Sequence, residues 1–205
     1  MPRDSRAPAP TLGTGDALLV VDVQNDFLPG GSLAVLDGDA VIAPLNRCLA
    51  DWRARGLPVF AIRDWHPPEH CSFRSQGGRW PAHCVAGTAG AEFASGLALP
   101  PSTVVVSKAT ARDHDAYSAF EGTDLDARLR EKAVRRLVVG GLATEYCVLD
   151  TVRDARARGY AVAVLEDAIR AIDVRPGDGQ SAKDEIARLG AVLIRGDALV
   201  GRGSP

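Results

Sequence analysis

Short, unbroken apolar runs recur along the chain at Ala17–Val21, Pro58–Ile62, Thr103–Val106, Arg136–Gly140, Ala161–Leu165 and Ala191–Ile194. A strand with one wet face alternates apolar and polar side chains, so runs without alternation predict strands buried on both faces. Between several of them the period changes. Val41, Leu45, Leu49 and Trp52 share one helical face within Ala40–Arg55, which stops at Gly56. Glu145–Arg158 carries Cys147, Val148, Thr151, Val152 and Ala155 and stops at Gly159, Ala182–Leu189 stops at Gly190, and Leu125–Ala133 is a weaker helical pattern. Strands alternating with helices predict right-handed crossovers and a parallel sheet. The fold class is therefore α/β: a single-domain three-layer sandwich with about six parallel strands and helices on both faces.

Residues 1–15 hold Pro, Gly and Ser without periodicity and predict a flexible tail, leaving 16–205 as the one domain. The stretch from Asp64 to Pro101 has little periodicity but is rich in Gly, Pro, His and Trp. A loop of that length inside a compact domain is usually functional or disordered, and its aromatics and histidines argue against disorder.

Composition removes several function classes. Apolar residues make up 46% and charged residues 24%, a globular profile. A net charge of -2 gives no excess that would favour nucleic acid or an anionic membrane. No run approaches the ~18 apolar residues of a membrane span. The N-terminus lacks the apolar core of a secretory signal, which makes the cytoplasm the default expectation. The four cysteines, Cys48, Cys71, Cys84 and Cys147, form neither a disulfide framework nor a C-x-x-C pair and are expected to be free thiols.

Ligands of open parallel sheets sit beyond the carboxyl ends of the strands. That rule brings Asp22, Asp64, Lys108 and the segment Ala143–Cys147 to one edge. In Gly140-Gly-Leu-Ala-Thr-Glu-Tyr-Cys147 a strand passes into a helix. With Thr144 as N-cap, Cys147 is the third helical residue, where unpaired N–H groups favour a thiolate. A buried core cysteine fits the same position. Lys108 could stabilise a thiolate and Asp22 could move its proton, although each taken alone reads first as a solvated lysine or a turn residue and neither stands without Cys147. Three of the four histidines, His66, His70 and His83, follow Asp64 closely. Asp64 and His66, two apart, point to one side of an extended segment. Such ligands suit Zn, Fe or Mn, a reading favoured over loop histidines with ordinary hydrogen bonds. Two His and a carboxylate also occur in non-haem iron oxygenases, which the α/β pattern does not favour.

The chain resembles the nicotinamidases (pyrazinamidases) of the isochorismatase-like cysteine hydrolase superfamily. The segments that carry the resemblance are Val20-Val-Asp-Val-Gln-Asn-Asp-Phe27, Arg63-Asp-Trp-His-Pro67, Trp80-Pro-Ala-His-Cys-Val85, Lys108, Asp115-Ala-Tyr-Ser-Ala-Phe-Glu-Gly122 and Gly141-Leu-Ala-Thr-Glu-Tyr-Cys-Val148. They run in family order over nearly everything after residue 15. The resemblance implies a triad of Asp22, Lys108 and Cys147. It implies one divalent metal, zinc first with iron or manganese as alternatives, on Asp64, His66 and His83, with His70 as the further ligand some members use. It also implies a cis peptide between Leu142 and Ala143, and an oxyanion hole from the N–H groups of Ala143 and Cys147. Phe27, Trp80 and Tyr117 would bracket a nicotinamide ring. The implied reaction is hydrolysis of nicotinamide, and of pyrazinamide, through a Cys147 thioester. Glu145 stands where the family more often has Asp.

Two other readings stay open. One is another amidase or isochorismatase-type hydrolase with a different small amide; the other is a catalytically silent, metal-containing binding protein. The sequence does not fix the metal, substrate breadth or oligomeric state, a homo-oligomer included.

Overall fold

A computed structural model describes residues 12–199. The greater part of the expected N-terminal tail, residues 1–11, lies outside the described residues, as do the last six of the expected domain. Residues 12–15 form a turn into the first strand, with Leu12 buried and the Gly13 N–H donating to the Asp16 carboxylate at 2.7 Å.

Six strands, β1 (Asp16–Val21), β2 (Val59–Asp64), β3 (Val104–Lys108), β4 (Arg136–Leu142), β5 (Ala161–Arg170) and β6 (Val192–Ile194), form one sheet in the order β3-β2-β1-β4-β5-β6. Every neighbouring pair is parallel. The lack of alternation in β1 has the physical cause read from the sequence. Leu18 and Val20 pack on one face with Leu45, Leu49 and Trp52 of helix α1 (Ile42–Arg55). Ala17, Leu19 and Val21 pack on the other with α2 (Leu125–Glu131), α3 (Leu149–Ala157) and α4 (Asp178–Arg188), through Leu125, Leu129, Val152 and Ile186. The two apolar layers make the three-layer sandwich. Among the described residues no helix is long and apolar enough to cross a membrane.

Helix ends follow the glycines. At Gly56 the chain turns left-handed (φ 64°), its N–H reaching Arg53 O and that of Leu57 reaching Trp52 O. Glycine adopts that backbone without a Cβ clash.

Boundaries differ where local chemistry outruns the apolar pattern. The expected helix from Ala40 begins as a 3₁₀ turn at Gly38–Val41 and becomes α-helical only at Ile42. Helix α4 starts four residues before the predicted Ala182, because its first turn, Asp178-Gly-Gln-Ser181, is polar and carries no apolar period. Strand β5 runs five residues past Leu165, through Glu166 and Asp167, and its pairing with β4 shifts between Val139 and Gly141.

The Asp64–Pro101 excursion is an ordered structure of 3₁₀ turns (Arg74–Gln76, Ala89–Ala91) and isolated bridges (His66 with Val85, Phe73 with Trp80). The loop after β1 pins it. Asp26 accepts the Cys84 N–H at 2.7 Å, and the Asn25 amide donates to Ala89 O at 2.7 Å.

Candidate active site

Strand order reverses direction between β1 and β4, and the carboxyl ends of β1 to β4 open on one crevice. Asp22 follows β1, Asp64 ends β2, Lys108 ends β3, and the turn bearing Cys147 follows β4. The backbone is strained here: Asp22 (φ 50°) and Ala109 (φ 51°) are left-handed, a conformation that side chains with a Cβ rarely adopt.

Lys108 is the hub. Its side chain is fully buried, and its ammonium lies 3.1 Å from Asp22 Oδ2 and 3.4 Å from Cys147 Sγ. It donates to Ala116 O at 3.2 Å and forms an ion pair with Asp64 Oδ1. Burial opposes its charge, but the flanking Asp22 and Asp64 outweigh burial and hold it protonated well above the ordinary lysine range. The Asp22 carboxylate meets the ammonium as an ion pair without hydrogen-bond alignment. Burial, aided by the Asp64 charge and opposed by Lys108, raises its pKa to about 6. Asp64 goes the other way: burial alone would raise it, but Lys108, His66 and His83 bring it below its ordinary value.

Two expectations about Cys147 are corrected. Thr144 is not the N-cap. The cap residue is Ala143, no side chain caps the turn, and Thr144–Val148 is a π-turn in which the Tyr146 and Val148 N–H groups both reach Ala143 O at 3.2 Å. Cys147 is thus the fourth residue of a wider turn, a form that recurs at functional sites. Nor is the thiol poised to ionise. Burial, helped by Asp22 and Asp64, pushes it well above its ordinary value, and Lys108 is the main group acting against that shift. The resting sulfur is a thiol beside a carboxylate that can take its proton. The Leu142–Ala143 peptide is cis.

Asp64, His66 and His83 bring ligand atoms within 4.8 Å of one another. The donor set fits a divalent metal. His66 Nδ1 is fixed on His83 O at 2.9 Å and His83 Nδ1 on Pro81 O at 2.8 Å, which leaves each Nε2 as the lone-pair nitrogen. Burial lowers the His66 pKa to about 4 and lowers that of His83, so both rings are neutral, the form that binds metal. His70 joins His66 in a second group, with Asp115, whose ligand atoms also come within 4.8 Å of one another. Its ring stacks on His66 at 4.3 Å, with Nδ1 on Ser72 Oγ at 2.8 Å and Nε2 on His114 O at 3.1 Å.

The three expected ring-bracketing residues make two separate sets of contacts. Phe27 is buried edge-on to His83 at 5.6 Å. The Trp80 indole N–H donates to Tyr117 Oη at 2.9 Å. Sequence reasoning missed Tyr146, whose ring meets Trp80 at 5.2 Å and Tyr117 at 5.4 Å; its place beside Cys147 was the available signal. It also missed Gln24. This fully buried amide accepts the Asp64 N–H at 2.9 Å and donates to Asp64 O and Ala91 O, each at 2.8 Å, so it fixes the backbone of Asp64 from the loop after β1 that also carries Asp22. No periodicity marks such a residue; only its position between Asp22 and Phe27 hints at it.

Comparisons with known proteins bear on the family and the fold. The isochorismatase domain family matches residues 16–197. A nicotinamidase of Escherichia coli (strain K12) is 41% identical over 199 residues, covering 86% of this chain and 93% of its own length. The crystal structure of the pyrazinamidase of Pyrococcus horikoshii in complex with zinc superposes with a TM-score of 0.85 at 45% identity, covering 88% of this chain and 99% of that one. PnC1 from L. infantum in complex with nicotinate superposes with a TM-score of 0.86 at 36% identity, covering 93% and 98%.

Proposed function

Because this chain belongs to the isochorismatase family of hydrolases, we propose that it is a metal-dependent nicotinamidase that converts nicotinamide to nicotinate and ammonia through a thioester on Cys147. The observation that carries the reading is the buried junction at Lys108, whose ammonium touches Asp22, Asp64 and the Cys147 sulfur together, next to the Asp64, His66 and His83 donor set.

Each residue then has a physical task. Asp64, His66 and His83 hold a divalent ion, zinc by preference. When bound, that ion would supply a Lewis-acidic point beside the substrate ring. Phe27, Trp80 and Tyr117 exclude water and bracket the flat ring. Asp22 takes the thiol proton as the sulfur attacks the carbonyl carbon, and Lys108 stabilises the sulfur's developing negative charge. The N–H groups of Ala143 and Cys147 receive the tetrahedral oxyanion. Asp22 then passes its proton to the departing nitrogen, because an amide nitrogen leaves only when protonated. The C–N bond breaks, ammonia departs, and a nicotinoyl thioester stays on Cys147. Water attacks that carbonyl, the C–S bond breaks, and nicotinate leaves with the thiol restored. Pyrazinamide, which differs by one ring nitrogen, fits the same walls and is a second substrate. The free cysteines support a reducing, cytoplasmic setting.

Ammonia release tests the reading. Zinc-loaded protein should release ammonia from nicotinamide and pyrazinamide, and Cys147→Ala should release none while keeping its circular dichroism spectrum. Turnover retained in the alanine variant would remove the thiol mechanism.

A further inference from the structure

The π-turn that carries Cys147 has no side-chain cap of its own. Its second residue, Glu145, reaches outward instead. Glu145 Oε1 accepts the Asp173 N–H at 2.8 Å, across the gap to the loop between β5 and α4. Asp173 is left-handed (φ 51°), and its own carboxylate accepts the Gly179 N–H of the first turn of α4 at 2.7 Å. A Cβ at Gly179 would come within 2.5 Å of the Ala171 side chain, so the loop is packed closely against the start of α4. One chain of hydrogen bonds thus runs from α4, through Asp173 and Glu145, to the turn two residues before the sulfur. The other oxygen, Glu145 Oε2, is buried without a partner in full hydrogen-bond alignment, although the backbone N–H groups of Ile172 and of Glu145 itself also favour the carboxylate. Keeping a carboxylate there costs stability that a smaller apolar residue would not, and such a group calls for a local purpose.

We propose that Glu145 is a positioning residue. It ties the nucleophile turn to the β5–α4 loop, so that the Cys147 sulfur and the Cys147 N–H stay in register with the substrate carbonyl. Glu145 touches neither substrate nor metal; it acts through the backbone of the turn. This rests on the reading of Cys147 as the nucleophile. A displacement of the turn by a fraction of an ångström affects attack and oxyanion binding in the transition state more than ground-state binding of the ring by Phe27, Trp80 and Tyr117. The signature is therefore a fall in kcat with KM nearly constant.

The test compares two variants of nearly equal shape in zinc-loaded protein: Glu145→Gln, which keeps an oxygen to accept the Asp173 N–H, and Glu145→Met, which does not. With nicotinamide, Glu145→Gln should keep kcat within about twofold of the parent, and Glu145→Met should lose about tenfold or more in kcat with KM within about twofold. The iodoacetamide alkylation rate of Cys147 should follow the same split, changed in the Met variant and parental in the Gln variant. Equal losses in both variants, a parental kcat in Glu145→Met, a loss seen in KM alone, or an unfolded Glu145→Met beside a folded Glu145→Gln would each overturn the proposal. A parent protein inactive on nicotinamide would instead sink the underlying functional reading; the alkylation arm then still shows whether Glu145 sets the turn.

Discussion

Asp22 shows how a single residue is tuned by what surrounds it. Two buried acids flank one buried amine, and they part in behaviour: Asp64 is held below the ordinary carboxylate range, while Asp22 is raised to about 6, chiefly by burial. In the proposed mechanism Asp22 works as the anion, so protonating it removes the base. The sign is fixed: kcat/KM should fall as pH drops through about 6 and level off above it, and a pH–rate profile on nicotinamide checks this. Asp22→Asn should lose about 10²–10⁴-fold in kcat, the usual contribution of a positioned general base. The sequence shows that an acid, a lysine and a thiol occupy strand ends. It does not show their proton states, because these depend on burial and mutual distance. The expectation of an easily ionised thiol fails for that reason: burial, helped by Asp22 and Asp64, raises the Cys147 pKa, and Lys108 is the main group opposing it.

At the scale of elements, the site depends on strands approaching one another closely. Gly141 stands beside Val21 at the β1–β4 contact with φ 130°, and a Cβ there would lie 1.9 Å from Val21 O. Gly77, also left-handed (φ 84°), has open space around it. Gly141→Ala should therefore unfold the domain or cost at least ~3 kcal/mol in urea denaturation, while Gly77→Ala should cost only the ~1–2 kcal/mol of left-handed backbone. Gln24 links two further elements. Gln24→Leu would leave the Asp64 N–H, Asp64 O and Ala91 O without partners, and zinc affinity measured by competitive chelation should fall about 10–100-fold, as when a supporting partner of a metal ligand is removed. All six strands were visible in the sequence as unbroken apolar runs; two-sided burial explains the inner strands, whereas the edge strands β3 and β6 leave Val105 and Val192 exposed, against the expectation of burial on both faces. The π-turn, the 3₁₀ start before α1 and the polar first turn of α4 were not, since each is set by backbone hydrogen bonds that leave no apolar period. The strand ends therefore gave the candidate site from topology, but Gln24 and Tyr146 emerged only from contacts.

Across the whole molecule, the long excursion after β2 and the sheet act as one device. The excursion supplies His66, His83 and Trp80; the sheet supplies Asp22, Asp64, Lys108 and Cys147; Asp64 belongs to both through its contacts with Lys108 and His66. Removing the metal should loosen the excursion while leaving the sheet folded. Chelation should raise KM for nicotinamide and lower the melting temperature; zinc should restore KM as the site saturates, and should raise the melting temperature with the logarithm of its free concentration above Kd. The central claim is that Cys147 carries the acyl group during turnover, and rapid acid quench during turnover, followed by peptide mapping, tests it most directly. A nicotinoyl group in place of the thiol hydrogen on the Cys147 peptide, forming as ammonia is released and decaying as nicotinate appears, is the predicted result. Ammonia released with that peptide unmodified at every quench time, together with undiminished turnover by Cys147→Ala, would contradict it.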